Sequence, residues 1–295
     1  MNKNEKIEYG RCVVEEITSR FLKKDSPYFF LSGYEYLREV ITLYGKQSNL
    51  LESTLLLLEN NHAEEAYLLL RSMLNNKMLI QYLCNDDEDR SRYKEYMIQP
   101  EKSRISFLKD IKRAIDEGWM DKEGLENLDE KIKEYEQALI DKGFKKTQRK
   151  RNKTITYADT RTLSIRKMAL TDELSFGTYM TFYRDGSKYE HSDFSALNIY
   201  RQPVHSDVPN TQAFVLDLSR TDTELEGKVL NTAITMYSLT FTFIFRHMLN
   251  NHKHLFQQEE LPALLALAQR FADDDKYFMN NSTPEEVSTN EGAHK

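Results

Sequence analysis

Apolar residues recur at three- and four-residue intervals along most of this chain, the spacing that forms one face of an α-helix. Residues 4–23 put Ile7, Val13, Val14, Ile17 and Phe21 near one face, and Ser26-Pro27 breaks the pattern. A longer helix is predicted from about Gly33 to Asn60, through Leu37, Val40, Ile41, Tyr44, Leu51 and the leucine run 55–58. Asn60-Asn61-His62 is a tight break, and Asn61 with Glu64 reads as a capping box for a helix over 63–84. So short a break between two long helices implies an αα-hairpin. Glu224 to about His252 is the last long helix, and Leu261–Phe271 a short one. The predicted fold is all-α, an up-and-down bundle of long antiparallel helices.

Between these elements the pattern thins. The acidic stretch Asn85–Asp89 suits a helix start, where the macrodipole favours carboxylates, and its helix carries Tyr93, Tyr96 and Met97 before Pro100. Another helix follows through Ile105, Phe107, Leu108, Ile111 and Ile115 to Gly118. Residues 121–142 alternate charge signs around a narrow stripe of Leu125, Leu128, Ile132, Leu139 and Ile140. With the basic run Lys145–Lys153 they read as a charged helical arm over about 121–153. Residues 160–168 and 172–191 read as helical. Residues 198–222, with Pro203 and Pro209, read as the longest loop, holding a weak strand signal at 213–218. The polar tail 280–295 reads as disordered. The expected organisation is an N-terminal helix over 1–30, a helical-bundle domain over 31–256, and a short helix with a tail over 257–295.

Composition narrows this picture. At 295 residues the chain can bury a sizeable core without staples. Its 10 Gly and 6 Pro are too few for an all-β fold. A net charge of −6 argues against a general nucleic-acid coat protein and leaves room for a local basic patch. Cys12 and Cys84 form no CxxC pair, so neither a disulfide framework nor a cysteine zinc site is expected, and a reducing compartment fits. Met1–Lys6 lacks the apolar stretch of a signal peptide, so a cytoplasmic location is expected. The uncharged stretch Val229–Phe245 approaches spanning length but holds Asn231, Ser238 and several threonines. It is expected to be a buried core helix rather than a membrane span.

Candidate chemistry sits where polar groups interrupt this pattern. The helix over 63–84 is apolar on most sides, yet carries Arg71 and Asn75 four residues apart on one face. A buried Arg needs a partner, so Arg71 is either a structural clamp or an anion clamp. Tyr183, Ser187 and His191 follow at i, i+4 and i+8, one polar stripe if the helix is continuous, with Arg184 beside them. Lys145, Lys146, Arg149, Lys150 and Arg151 form either a solvated loop or an RNA contact. His205, His252 and His254 make no convincing metal set, because His252 and His254 would diverge on a helix. No metal or cofactor is expected.

Leu70-Arg71-Ser72-Met73-Leu74 with Tyr82-Leu83 downstream, then Tyr183, Ser187 and His191-Ser192, and a closing apolar helix over Leu230–Leu249, together resemble an uncharacterised bacterial family of all-helical proteins. The likeness covers residues from about 40 to 250. That family usually has Glu where this chain has Asn75, so no carboxylate role is carried over to this position. The segment from Arg184 also resembles the RNase signature of the HEPN superfamily, an Arg, a polar residue, and a His after four to six intervening residues. Arg184-Asp185 with His191 fits it, and Arg246-His247 with His252 is a second candidate. His191 coincides with the His of the uncharacterised family, which favours the first pair. The resemblance implies metal-independent RNA cleavage, often across a homodimer, in a toxin or phage-defence effector. The residues alone leave another reading open. In it Arg71, Asn75, Tyr183, Ser187 and His191 form a buried polar network in a scaffold for a protein partner or in a ligand sensor.

Overall fold

The computed structural model describes residues 1–280 apart from Lys24, Leu31, Gly124, 151–152, Asp172, 185–196, 198–199, Ser206 and 218–221. Its helices lie where the apolar spacing places them. Helix α1 (Lys3–Arg20) opens on a capping box, in which the Asn2 side chain accepts the Glu5 N–H at 3.0 Å and Glu5 accepts the Asn2 N–H at 2.8 Å. Helices α2 (Glu35–Glu59) and α3 (Ala63–Cys84) form the expected hairpin. The break between them works differently from the predicted capping box. Asn61 is left-handed, with φ of 63°. The Asn61 N–H donates to Leu58 O and the His62 N–H to Leu57 O, the paired bonds of a Schellman ending. Asn61 thus terminates α2, while its side chain accepts from Lys3 Nζ at 2.7 Å.

The chain divides into two compact units, one of residues 1–84 and 169–295, the other of residues 85–168. The second unit holds α4 (Ser91–Met97), α5 (Gln99–Asp116), α6 (Leu128–Asp141), and an antiparallel hairpin of β1 (Lys145–Lys150) and β2 (Lys153–Ala158). Most of the short α7 (Ile165–Ala169) also belongs to it. The acidic stretch before α4 does cap it, since the Asp86 carboxylate accepts the N–H groups of Arg92 and Tyr93. A small core joins Ile98 and Ile105 of α5's start and interior to Leu139 and Ala158. The basic run is therefore a strand, paired from Lys145↔Ala158 to Lys150↔Lys153, rather than a loop or helical arm.

In the first unit, α8 (Glu173–Thr178) runs into a π-helical turn at Tyr179–Tyr183, and the later segment contributes a hairpin of β3 (Arg201–Val204) and β4 (Ala213–Leu216). Then come α9 (Thr223–Asn251), a 3₁₀ turn (Lys253–Leu255), and α10 (Leu261–Asn280), nine residues longer than predicted. Helix α9 packs on α1, α2, α3 and α10. Its uncharged stretch is core, with Val229, Ala233, Tyr237, Phe241 and Ile244 fully buried, and no described helix is long and apolar enough to cross a membrane. The approach of α1 is close at Gly10, where a Cβ would stand 3.0 Å from Leu55 Cδ1 and 3.2 Å from Ile234. Several polar groups inside this core are paired across it. The Tyr44 hydroxyl donates to the Tyr237 carbonyl at 3.0 Å, and the Ser48 and Tyr237 hydroxyls lie 2.7 Å apart. Burial pushes the Tyr237 hydroxyl pKa up to about 12, so this network stays neutral.

Helix α10 is held to α1 by polar bonds at its rim. Arg270 donates to both oxygens of Glu16, and Tyr9 donates to Asp274. The bonds from Arg270 hold the Glu16 carboxyl below its ordinary value of 4.5, against a smaller opposing effect of burial. Because the folded value is lowered, this contribution to stability is complete above the ordinary value and is lost as pH falls through the lowered one. Amide protection factors across α10, with the intrinsic slowing of exchange in acid divided out, are accordingly expected to fall in acid. Glu16→Gln should lack that part of the acid response, and equal profiles for the two proteins would refute the assignment.

Candidate functional site

The residues of α3 at 64, 67, 71 and 75 follow helical spacing and share one face. They meet the turn that follows α8. That turn is positioned by Ser175, whose buried hydroxyl donates to Gln81 Oε1 at 2.8 Å. Beyond it the helix widens. The Arg184 N–H donates to Tyr179 O, five residues back, so 179–183 is π-helical where the sequence predicts a continuous α-helix. The wide turn carries Tyr179 and Tyr183 with stacked rings 5.4 Å apart, and delivers Tyr183 to α3.

Arg71 is 7% exposed, and its guanidinium carbon lies 4.4 Å from the centre of the Tyr183 ring. The partner demanded by a buried Arg is thus in part the face of an aromatic ring. One turn earlier, the Tyr67 hydroxyl donates to the Phe182 carbonyl at 3.1 Å, and Lys228 of α9 stands over the Phe182 ring at 5.5 Å. At the start of α3, the Tyr200 hydroxyl donates to Glu64 Oε2 at 2.8 Å. Burial is the largest cause raising the Glu64 carboxyl above its ordinary value. Asn75 lies one turn beyond Arg71, and its buried Oδ1 accepts no hydrogen bond among the described residues.

The structure therefore brings Arg71 and Tyr183 into contact, with Asn75 on the same face. Arg184 points elsewhere. It is exposed, and among the described residues its guanidinium reaches Met180 Sδ at 3.9 Å. Ser187 and His191 lie outside the described residues, so their predicted stripe with Tyr183 does too. In the second unit, Lys145 and Arg149 are exposed on β1, while Lys146 is paired with Asp159. Arg151 and the side chain of Lys150 lie outside the described residues.

The second candidate pair separates. Arg246 is exposed, whereas His252 is buried just past the end of α9. His252 Nε2 lies 2.5 Å and His247 Nε2 2.9 Å from the Tyr36 hydroxyl. One phenolic proton serves both, so one imidazole accepts it and the other donates its own N–H to the oxygen. Beside them, Tyr34 bonds His254 Nε2 at 3.2 Å and sets its ring against that of His252 at 5.1 Å. Tyr34 and Tyr36 are absent from the candidates read from the sequence, where His247 enters beside Arg246, and His254 in a rejected metal set. His252 and His254 do not diverge, because the helix ends at Asn251 and both residues turn back over α2. The available signal was topological. Antiparallel helices place the first turn of α2 beside the last turn of α9, so two tyrosines and three histidines had to meet.

Among the described residues, Asp86, Asp87 and Asp89 lie close enough together to hold a cation, but Asp86 already caps α4. Comparison with curated proteins and with solved structures finds no match for the chain. The model of one family, DUF5677, a family of unknown function, matches residues 39–207, which include α3, the π-helical turn and the segment between them. That match spans more than half of the 295 residues, and the chain belongs to the DUF5677 family.

Proposed function

We propose that this protein is a HEPN-like, metal-independent endoribonuclease whose reacting groups are Arg184 and His191. The observation that carries the reading is the π-helical turn. Such turns are rare and concentrate at functional sites. This one sets Tyr183 against the buried Arg71 and leaves the next residue, Arg184, with its guanidinium in solvent. A solvent-facing Arg on a fixed turn is placed to take a phosphodiester in bidentate fashion.

The chemistry needs only acid–base groups and a cation. A neutral imidazole removes the proton of the ribose 2′-hydroxyl, and the 2′-oxygen attacks phosphorus. Arg184 stabilises the negative charge that builds on the phosphoryl oxygens. The P–O5′ bond breaks, and the departing oxygen takes a proton. A homodimer would supply two copies of His191, one as base and one as acid. Lys145 and Arg149 would add phosphate contacts by releasing counterions. A protein of this activity would serve as a toxin or phage-defence effector.

Purified full-length protein in EDTA should cleave single-stranded RNA into fragments with 2′,3′-cyclic phosphate and 5′-hydroxyl ends. No cleavage, or 5′-phosphate ends, would overturn the proposal. A second reading is favoured by the burial of Arg71, which suits a scaffold whose polar network holds helix register. In that case His191→Ala lowers the melting temperature and wild-type protein cleaves nothing.

A further inference from the structure

A cavity of about 340 Å³ opens between the end of α1, the loop at 26–30, α2, and the stretch from Met248 to Leu264. Small-molecule sites span roughly 300–1,000 Å³, so this one suits a compact ligand and is too small for a dinucleotide or a long lipid. Its inner wall is apolar, with Phe21, Leu37 and Leu264 buried and Met248 and Phe256 partly so. The outer wall is a short aromatic strap. Tyr28 and Phe30 stack with ring centres 6.0 Å apart, and the Tyr28 hydroxyl is tied to the Leu22 carbonyl. Phe29 is 89% exposed at the mouth.

The charges at the mouth are unbalanced. Lys23 and Glu260 neutralise each other at 2.7 Å. Arg20 also lines the cavity, is exposed, and among the described residues makes no hydrogen bond or ion pair. Glu16, one turn back on α1, gives both of its oxygens to Arg270 instead. One guanidinium, in electrostatic reach of Glu16 but, among the described residues, without a hydrogen bond or ion pair of its own, therefore lines an aromatic hollow. A neutral hydrocarbon would fill the hollow and ignore the cation. Among the described lining residues a polyanion would find no second cation outside the Lys23–Glu260 pair. One carboxylate on an apolar tail satisfies both features.

We infer that this cavity binds a medium-chain monocarboxylate, its tail among Phe21, Leu37 and Leu264 and its carboxylate on Arg20. Tyr34 also lines the cavity, so an occupant lies against the ring that packs on His252. None of the lining residues is among those proposed for RNA chemistry. Its test is calorimetric titration of the full chain with decanoate, below its micelle threshold, alongside decanol and acetate. Saturable decanoate binding is expected, with decanol and acetate at least tenfold weaker. Arg20→Gln, an exposed substitution, should weaken decanoate roughly tenfold and leave decanol unchanged. Met248→Trp should fill the hollow and weaken both. The inference fails if wild-type protein shows no saturable decanoate binding, if decanol binds as tightly, or if Arg20→Gln binds decanoate like wild type.

Discussion

Phe241→Ala is expected to lower the unfolding free energy by about 3–5 kcal/mol, the usual range for emptying a fully enclosed aromatic site. Phe241 is 0% exposed and sits where three helices meet. Its ring lies edge-on to Phe21 at 5.1 Å and to Phe271 at 5.7 Å, and stacks on Phe245 at 5.8 Å. Alanine would remove the apolar surface and three ring contacts together, and the surrounding helices are too tightly held to close the gap. At Gly10 even a Cβ would crowd Leu55 and Ile234, which shows how little α1 can move inward. For a unit of this size the loss corresponds to a fall in melting temperature on the order of 10 °C. Leu56→Ala is the control. Leu56 lies on α2 but is 57% exposed, and its loss should stay within about 0.5 kcal/mol. A comparable fall for both variants would mean that the aromatic junction is not where α1, α9 and α10 are joined.

The long helices were legible because burial enforces their spacing. In α2, Leu37, Val40, Tyr44, Leu51, Leu55 and Leu58 are buried at the intervals from which the helix is predicted. The same logic recovered α9, where the uncharged stretch is core. It failed for β1, whose described side chains are polar or charged and mostly exposed, so no apolar alternation marks it. The signal lay in its partner, where Thr154-Ile155-Thr156-Tyr157 is a run suited to a strand. Local hydrogen bonding also outweighed pattern at Asn61. A residue that can cap the next helix can equally end the previous one in the left-handed region, and the backbone bonds from Asn61 and His62 decide for the second.

The candidate site was half legible, for similar reasons. That Arg71 must have a partner follows from burial alone, and Tyr183 was among the residues named for it. That the partner is a ring face, and that a π-turn brings it there, has no marker in residue order. The Tyr36 cluster was missed because its members are 211 and 216 residues apart, a pairing that only topology reveals.

Arg184→Ala is expected to slow RNA cleavage by roughly 10²–10³-fold, the usual cost of one group aimed at transition-state charge. His191→Ala should cost about 10²–10⁴-fold as the loss of a general acid–base. The two roles leave different signatures. Arg184 is exposed and among the described residues its guanidinium bonds a thioether, so its alanine variant should melt within experimental error of wild type while losing activity. Arg184→Lys keeps the charge but loses the planar fork, and should recover only part of the rate. If His191 supplies both base and acid from two copies, the wild-type rate is bell-shaped in pH and His191→Ala flattens that profile. Arg71 provides the contrast. Arg71→Met removes a buried cation from the Tyr183 ring, so stability should fall before chemistry is touched. Wild-type cleavage by both Arg184→Ala and His191→Ala would remove this pair from the reaction. A fall in melting temperature without any change in cleavage would place His191 in the same structural network as Arg71.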